Sequence, residues 1–184
     1  VADFLEALRA LGGMGLEAAD PAGAVAAVLG ELKRREIAEV IAWADPLLEQ
    51  VGLPGAARQA GIAWFVAAQG TDPAEVRAVA ARAGAGVTGA DWAVTETGTL
   101  ALFSGPGRPR SAGLLPPLHI ALVRRERLLP TMADLFGKLS AVAGGGGFPP
   151  ALTLITGPSR TGDIEDVLVR KVHGPGDVMV VLLP

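Results

Sequence analysis

A chain of 184 residues, half of them hydrophobic and 19% charged, holds enough apolar material for one packed domain and is not intrinsically disordered. Sixteen basic against nineteen acidic residues leave a net charge of −3, which gives no basic footprint for nucleic acid. The absence of cysteine excludes disulfides, a thiolate nucleophile, thioether-attached haem and thiolate-held zinc or iron–sulfur sites, and two histidines with no tyrosine leave few groups that exchange protons near neutrality.

Asp3 to Leu11 places Phe4, Leu5 and Leu8 at helical spacing and predicts a short amphipathic helix stopped by Gly12-Gly13. Pro21 to Arg35 predicts a second helix, with Asp20 as its cap and Lys33, Arg34 and Arg35 in its last turn, so residues 1–35 read as an N-terminal helical segment. Ile37 to Trp43 predicts a strand, Asp45 to Gln50 and Pro54 to Ala60 short helices, and Ile62 to Ala67 a second strand. Asp72-Pro73-Ala74-Glu75 starts a helix that runs to about Ala83 before Gly84 stops it. Trp92 to Thr95 and Leu100 to Phe103 flank a polar break and read as two strands or one interrupted strand, and Gly105 to Gly113 reads as a loop. Leu118 to Val123 predicts a strand and Pro130 to Val142 a helix capped by Thr131. After the Gly144 to Gly147 linker come a buried strand from Ala151 to Thr156, a helix from about Asp163 to Val169 and a final strand from Val178 to Leu183.

Strands alternating with helices imply a single α/β domain over 1–184, with a largely parallel sheet covered by helices on both faces. No basic-then-apolar leader is present, and the longest charge-free stretch, Leu139 to Ser159, is broken by four consecutive glycines and by prolines. A cytoplasmic protein with no membrane span is therefore expected.

Ligands of open α/β sheets bind beyond the carboxyl ends of the strands, which gives weight to polar loops that follow apolar runs. In Thr95-Glu96-Thr97-Gly98-Thr99, Glu96 is a candidate general base, nucleophile or hydrogen-bond anchor. The plainer alternative is that Thr97 and Thr99 satisfy a bulge permitted by Gly98 while Glu96 is solvated. In Thr156-Gly157-Pro158-Ser159-Arg160-Thr161-Gly162-Asp163, free N–H groups at a helix start, two hydroxyls and a guanidinium make a receptor for a phosphate or carboxylate. The alternative is capping by Ser159, Thr161 or Asp163 with Arg160 on the surface, and the lysine and glycine spacing of a P-loop are missing. His119 and His173 each stand beside a structural break. Without zinc spacing they predict no metal site and read more readily as core or turn residues. Arg108 and Arg110 lie in a Gly/Pro loop that either contacts an anion or forms a solvated lid, while Trp43, Trp64 and Trp92 fall in strand patterns and read as core.

Four strings in order, TGADWAVTETGTLAL, LLPPLHIALV, TLITGPSRTGDIEDVLV and VHGPGDVMVVLL, resemble the lactate-utilization protein C family, whose domain is called LUD. The resemblance runs from about Thr88 to the C-terminus. It covers Gly89, Asp91, Glu96, Thr97, Gly98, Thr99, Pro116 and His119, then Gly157 to Thr161, Asp163, Ile164 and Glu165, and finally His173, Gly174 and Pro175. It implies a fold related to the sugar-isomerase and CoA-transferase superfamily. It also implies a role, with two partner proteins, in oxidising L-lactate to pyruvate, where an iron–sulfur-containing partner carries the electrons and this chain holds no cofactor of its own.

Together these readings predict an accessory subunit that binds a small anionic metabolite or organises the iron–sulfur partner. Glu96, His119 and His173 are the candidate catalytic groups. Thr97, Gly98, Thr99, Gly157, Ser159, Arg160, Thr161 and Asp163 are the candidate ligand-binding ones. The alternatives are an enzyme of CoA-transferase or isomerase type, with Glu96 as nucleophile or base and Arg160 clamping an anion, and a structural scaffold for the partner.

Overall fold

Asp20, Asp45 and Asp72 each precede a proline, and each dipeptide starts a helix. Their carboxylates accept the N–H of Gly23 (2.7 Å), Leu47 (2.9 Å) and Ala74 (2.9 Å), while the prolines occupy the first turn, where a missing N–H costs nothing. Thr131 and Asp134 close a reciprocal capping box on a fourth helix.

The structure is a computed structural model that describes residues 1–145, 147–162, 168–170 and 174–184. Its elements run α1 (Ala2–Ala10), β1 (Met14–Glu17), α2 (Pro21–Arg34), β2 (Glu39–Trp43), α3 (Pro46–Gln50), α4 (Leu53–Gln59), β3 (Ala63–Ala67), α5 (Pro73–Arg82) and β4 (Ala85–Gly89). They continue β5 (Trp92–Val94), β6 (Thr99–Phe103), α6 (Arg110–Leu114), β7 (Leu118–Arg124), a single 3₁₀ turn (Arg125–Arg127), β8 (Leu128–Leu129), α7 (Met132–Gly144), β9 (Leu152–Thr156), β10 (Arg160–Gly162), β11 (Leu168–Arg170) and β12 (Asp177–Leu183).

Six strands form one sheet in the order β1-β12-β7-β4-β2-β3, with every neighbouring pair parallel. Alternate residues feed two cores, as the period of a strand requires. Val40, Ala42, Val87, Ile120, Leu122 and Val181 pack beneath α2, α3 and α4. Ile41, Trp43, Ala121, Val123, Val180 and Leu182 face α1, α5 and α6. The α/β class and the largely parallel sheet agree with the sequence reading.

Three features depart from it. The runs at 92–95, 100–103 and 151–156 do not join the parallel sheet. They build a second, four-stranded sheet in the order β8-β5-β6-β9, in which β6 is antiparallel to both β5 and β9. A connection as short as Thr95–Gly98 makes a hairpin and cannot carry a parallel crossover. The inner face of this sheet, with Ala93, Leu100, Leu102 and Ile155, enters the same core as α1, and α7 covers its outer face through Leu135 and Leu139. β9 is an edge strand with Leu154 exposed, so it is less buried than the sequence suggests.

Leu168 and Val169, expected to end a helix, instead belong to β11, which pairs antiparallel with Arg160–Gly162, with Thr161 opposite Val169. Thr161 and Val169 are β-branched, a residue type that favours strand over helix. Asp163 and residues 164–167 lie outside the described residues. Finally, β1, β4 and α6 were not anticipated. β4 reads Ala-Gly-Val-Thr-Gly because α6 rests on it: a Cβ at Gly86 would lie 1.6 Å from the Ala112 carbonyl oxygen.

Candidate functional site

The two loops singled out in the sequence meet at one end of the second sheet. Thr99 pairs with Thr156 across β6 and β9, and the Thr97, Thr99 and Thr156 hydroxyls form a row with spacings of 2.7 and 2.9 Å. The N-terminal helix closes this end. A Cβ at Gly98, whose φ is +64°, would lie 2.7 Å from the Leu8 nitrogen, and one at Gly157, φ +78°, would lie 2.8 Å from the Leu11 Cβ. The Glu96 carboxylate is exposed and accepts the Met132 N–H (3.1 Å) at the start of α7, as an anchor would. Ser159 donates its N–H to the Pro175 carbonyl (2.9 Å), which brings this loop against Gly174–Pro175. His173 and Asp163 lie outside the described residues, and Arg160 and Thr161 are placed as the first residues of β10.

His119 is elsewhere. It stands near the start of β7, fully buried, with its Nε2 2.8 Å from the Thr88 hydroxyl and Gly113 of α6 against the ring. Its Nδ1 has no hydrogen-bond partner among the described residues. Burial pulls its pKa down to about 4, so the ring is neutral at pH 7.

A different cleft has the position and the charge of a ligand site. From β2 the chain moves outward to β3 and from β4 inward to β7, so the strand order reverses between β2 and β4. Open α/β sheets bind ligands in the crevice at such a reversal, outside the carboxyl ends of the strands. Here that crevice has a volume of about 340 Å³ and is lined by Ala44 to Leu47 and Gln50 after β2, Gly89 to Asp91 after β4, and Arg108, Arg124 and Arg127.

Its walls are held from both sides. Arg108 donates to both carboxylate oxygens of Asp91, at 3.0 Å each, and Asp91 Oδ2 also accepts the Phe103 N–H at 2.7 Å. The guanidinium lies 4.3 Å from the centre of the Trp43 ring, and Trp43 donates its indole N–H to Pro109 (3.0 Å). The Gly105–Arg108 turn receives the Ala44 N–H on Gly107 (2.9 Å), which ties it to the end of β2. Arg124 donates to Gln50 (2.6 Å). Neither Arg124 nor Arg127 has a carboxylate partner among the described residues.

A larger hollow of about 670 Å³ lies at the amino ends of the strands. Its cations are already paired, Arg35 with Glu31 and Asp177 and Arg82 with Glu39, which leaves little for a ligand. The Glu96 end of the second sheet is distinct from the crevice. Asp91 and Phe103 stand at one end of the β5–β6 pair and the hydroxyl row at the other, about 13 Å of strand away.

Gly89 and Asp91 lie in the strings that carry the family resemblance, and Arg108 in the loop read as either an anion contact or a solvated lid, whereas no motif in the sequence reading marks Arg124 and Arg127. The signal that could have found them is three arginines, Arg124, Arg125 and Arg127, directly after an apolar strand. Arg125 itself is taken up in an ion pair with Glu17. Among the described residues no group of three or more His, Asp or Glu side chains could hold a metal ion, and no helix is long and apolar enough to cross a membrane.

The LUD domain family model matches residues 1–183. Lactate utilization protein C of Halalkalibacterium halodurans is 36% identical over 137 residues, and that of Macrococcus caseolyticus 38% over 138. An uncharacterized protein YkgG of Escherichia coli is 36% identical over 142. In each case the match takes in 74% of this chain and 58% of the relative, so the chain spans well under two thirds of the length of these proteins. A solved structure of a DUF162 family protein from Deinococcus radiodurans superposes with a TM-score of 0.66 over 100% of this chain and 95% of that one. At 20% identity the likeness speaks for the fold alone.

Proposed function

The chain belongs to the LUD domain family, and from that premise we propose that it serves lactate utilization as a cytoplasmic accessory subunit. In this role it holds a small anionic metabolite in the crevice between β2 and β4, while an iron–sulfur partner protein carries the electrons released when L-lactate becomes pyruvate. Relatives named lactate utilization protein C support the process. The observation that carries the binding role is the pair Arg124 and Arg127, two guanidiniums without carboxylate partners among the described residues, at the reversal of the sheet. A division of labour with an iron–sulfur partner suits a chain that has no cysteine to ligate a cluster.

The test is thermal melting of the whole chain with L-lactate and with pyruvate, since a ligand that binds only the folded state raises Tm. Either anion is expected to raise Tm in the wild type and to lose that effect in the double variant Arg124→Ala/Arg127→Ala. An undiminished rise in the double variant would exclude the crevice. Loss of the rise in Glu96→Gln alone would move the ligand to the hydroxyl row.

A further inference from the structure

We propose that the crevice is built for a monoanionic carboxylate that carries hydroxyl groups, in preference to phosphate esters and dicarboxylates. This rests on the reading of the crevice as the ligand site. Five charged side chains line it, and they divide into a closed pair and an open set. Arg108 and Asp91 neutralise one another through two 3.0 Å bonds, with the Phe103 N–H on Asp91 and the Trp43 ring against the guanidinium, whose Nε is buried without a partner among the described residues, so in charge this pair forms a neutral wall. The open set is Arg124, Arg127 and Asp45, two positive charges against one negative.

Asp45 supplies the second half of the argument. Its Oδ1 accepts the Leu47 N–H at 2.9 Å, as the cap of α3. Its Oδ2 lies over the end of β4, so close that a Cβ at Gly89 would stand 2.4 Å from it, and that oxygen has no donor among the described residues. A carboxylate only accepts, so a ligand that brings a hydroxyl or other donor gains a bond here that a donor-free carboxylate such as pyruvate or hexanoate does not make. One carboxylate on the ligand balances the open set. A second negative charge leaves the crevice with an excess beside Asp45, and like charges brought together in a partly desolvated cleft oppose binding. The volume of about 340 Å³ corresponds to roughly eleven waters at ~30 Å³ each, so hydroxy acids longer than three carbons fit as well.

The experiment is calorimetric titration of the whole chain, at fixed ionic strength, with D-gluconate, hexanoate, succinate and glucose 6-phosphate. Gluconate is expected to bind about tenfold more tightly than any of the other three, the scale of one charge-assisted hydrogen bond. Asp45→Asn preserves the helix cap, because asparagine caps as well as aspartate. It is expected to melt within a degree or two of the wild type, to lose about tenfold in gluconate affinity and to bind both dianions more tightly. Tighter binding of a dianion or of hexanoate to the wild type, or an unchanged ranking in Asp45→Asn, overturns the hydroxy-acid assignment and leaves the crevice standing as an anion site. Failure of all four to bind overturns the crevice reading and this inference with it.

Discussion

Arg108 closes on Asp91 through two hydrogen bonds of equal length, 3.0 Å each, and lies over Trp43 as it does so, joining the ends of β2 and β4 and the start of the second sheet at one point. Both side chains are about three-quarters buried. Asp91→Asn keeps an acceptor for the Phe103 N–H but leaves the guanidinium without its counter-charge, an expected loss of about 2 kcal/mol, or roughly 4–8 °C in Tm for a domain of this size. The paired variant Asp91→Asn/Arg108→Gln is expected to lose less than the single one, because no uncompensated charge remains. Urea melts of the three proteins check both statements. A single variant within 0.5 kcal/mol of the wild type, on the ~1 kcal/mol scale of surface ion pairs, would reduce the pair to a surface contact.

The glycines under the N-terminal helix give a second expectation. Alanine at Gly98 combines a left-handed φ with a backbone clash against Leu8, whereas alanine at Gly70, φ +88°, meets nothing within 4 Å. Gly70→Ala is expected to cost about 1 kcal/mol from conformation alone, and Gly98→Ala at least about twice that, since α1 must lift away. Limited proteolysis separates the two. Early cleavage near α1 is expected in Gly98→Ala only, and equal patterns would mean that α1 does not rest on this turn.

His119 makes stability depend on pH. Its pKa in the fold, about 4, lies below the unfolded value near 6.5, so the unfolded chain binds the extra proton between those limits. The contribution of the neutral, buried ring is therefore present above about pH 6.5 and is lost as the pH falls towards 4, by roughly 3 kcal/mol at 1.36 kcal/mol per unit. His119→Gln removes the titration and retains a partner for the Thr88 hydroxyl. Its stability loss between pH 7 and pH 4 should be smaller than that of the wild type by about this amount, as read from chemical denaturation at each pH. Parallel pH profiles for the two proteins would sink the assignment.

Local chemistry was readable in the chain wherever one residue decides a conformation. The Asp-Pro pairs at 20, 45 and 72 and the Thr131 cap marked their helices within a residue or two, and the apolar runs marked most of the parallel strands. What the chain did not reveal was which runs pair. Phe103 opposite Leu152 is a non-local choice that period-two alternation leaves open, so the second sheet was invisible. β4 was missed for the opposite reason. Its small residues make room for α6 and for Asp45, and space requirements of that kind do not register as strand propensity. The rule that ligands sit beyond strand ends was sound. Applied to β5 and β9 it led to the hydroxyl row, and only the topology showed that the reversal lies between β2 and β4.

β1 is hydrogen-bonded along β12, with Met14 beside Met179, and α1 lies on turns at Gly98 and Gly157. During synthesis, therefore, Phe4, Leu5 and Leu8 leave the ribosome with only the adjoining β1 segment to pack on, well before the strands from β2 to β12 that complete their core. Closing so long a loop costs entropy before its contacts repay it, so this topology is expected to fold more slowly than a bundle of local helices. The nascent chain must carry an amphipathic helix with its apolar face unsheltered through that interval, the kind of segment that chaperones hold and that aggregates at high expression.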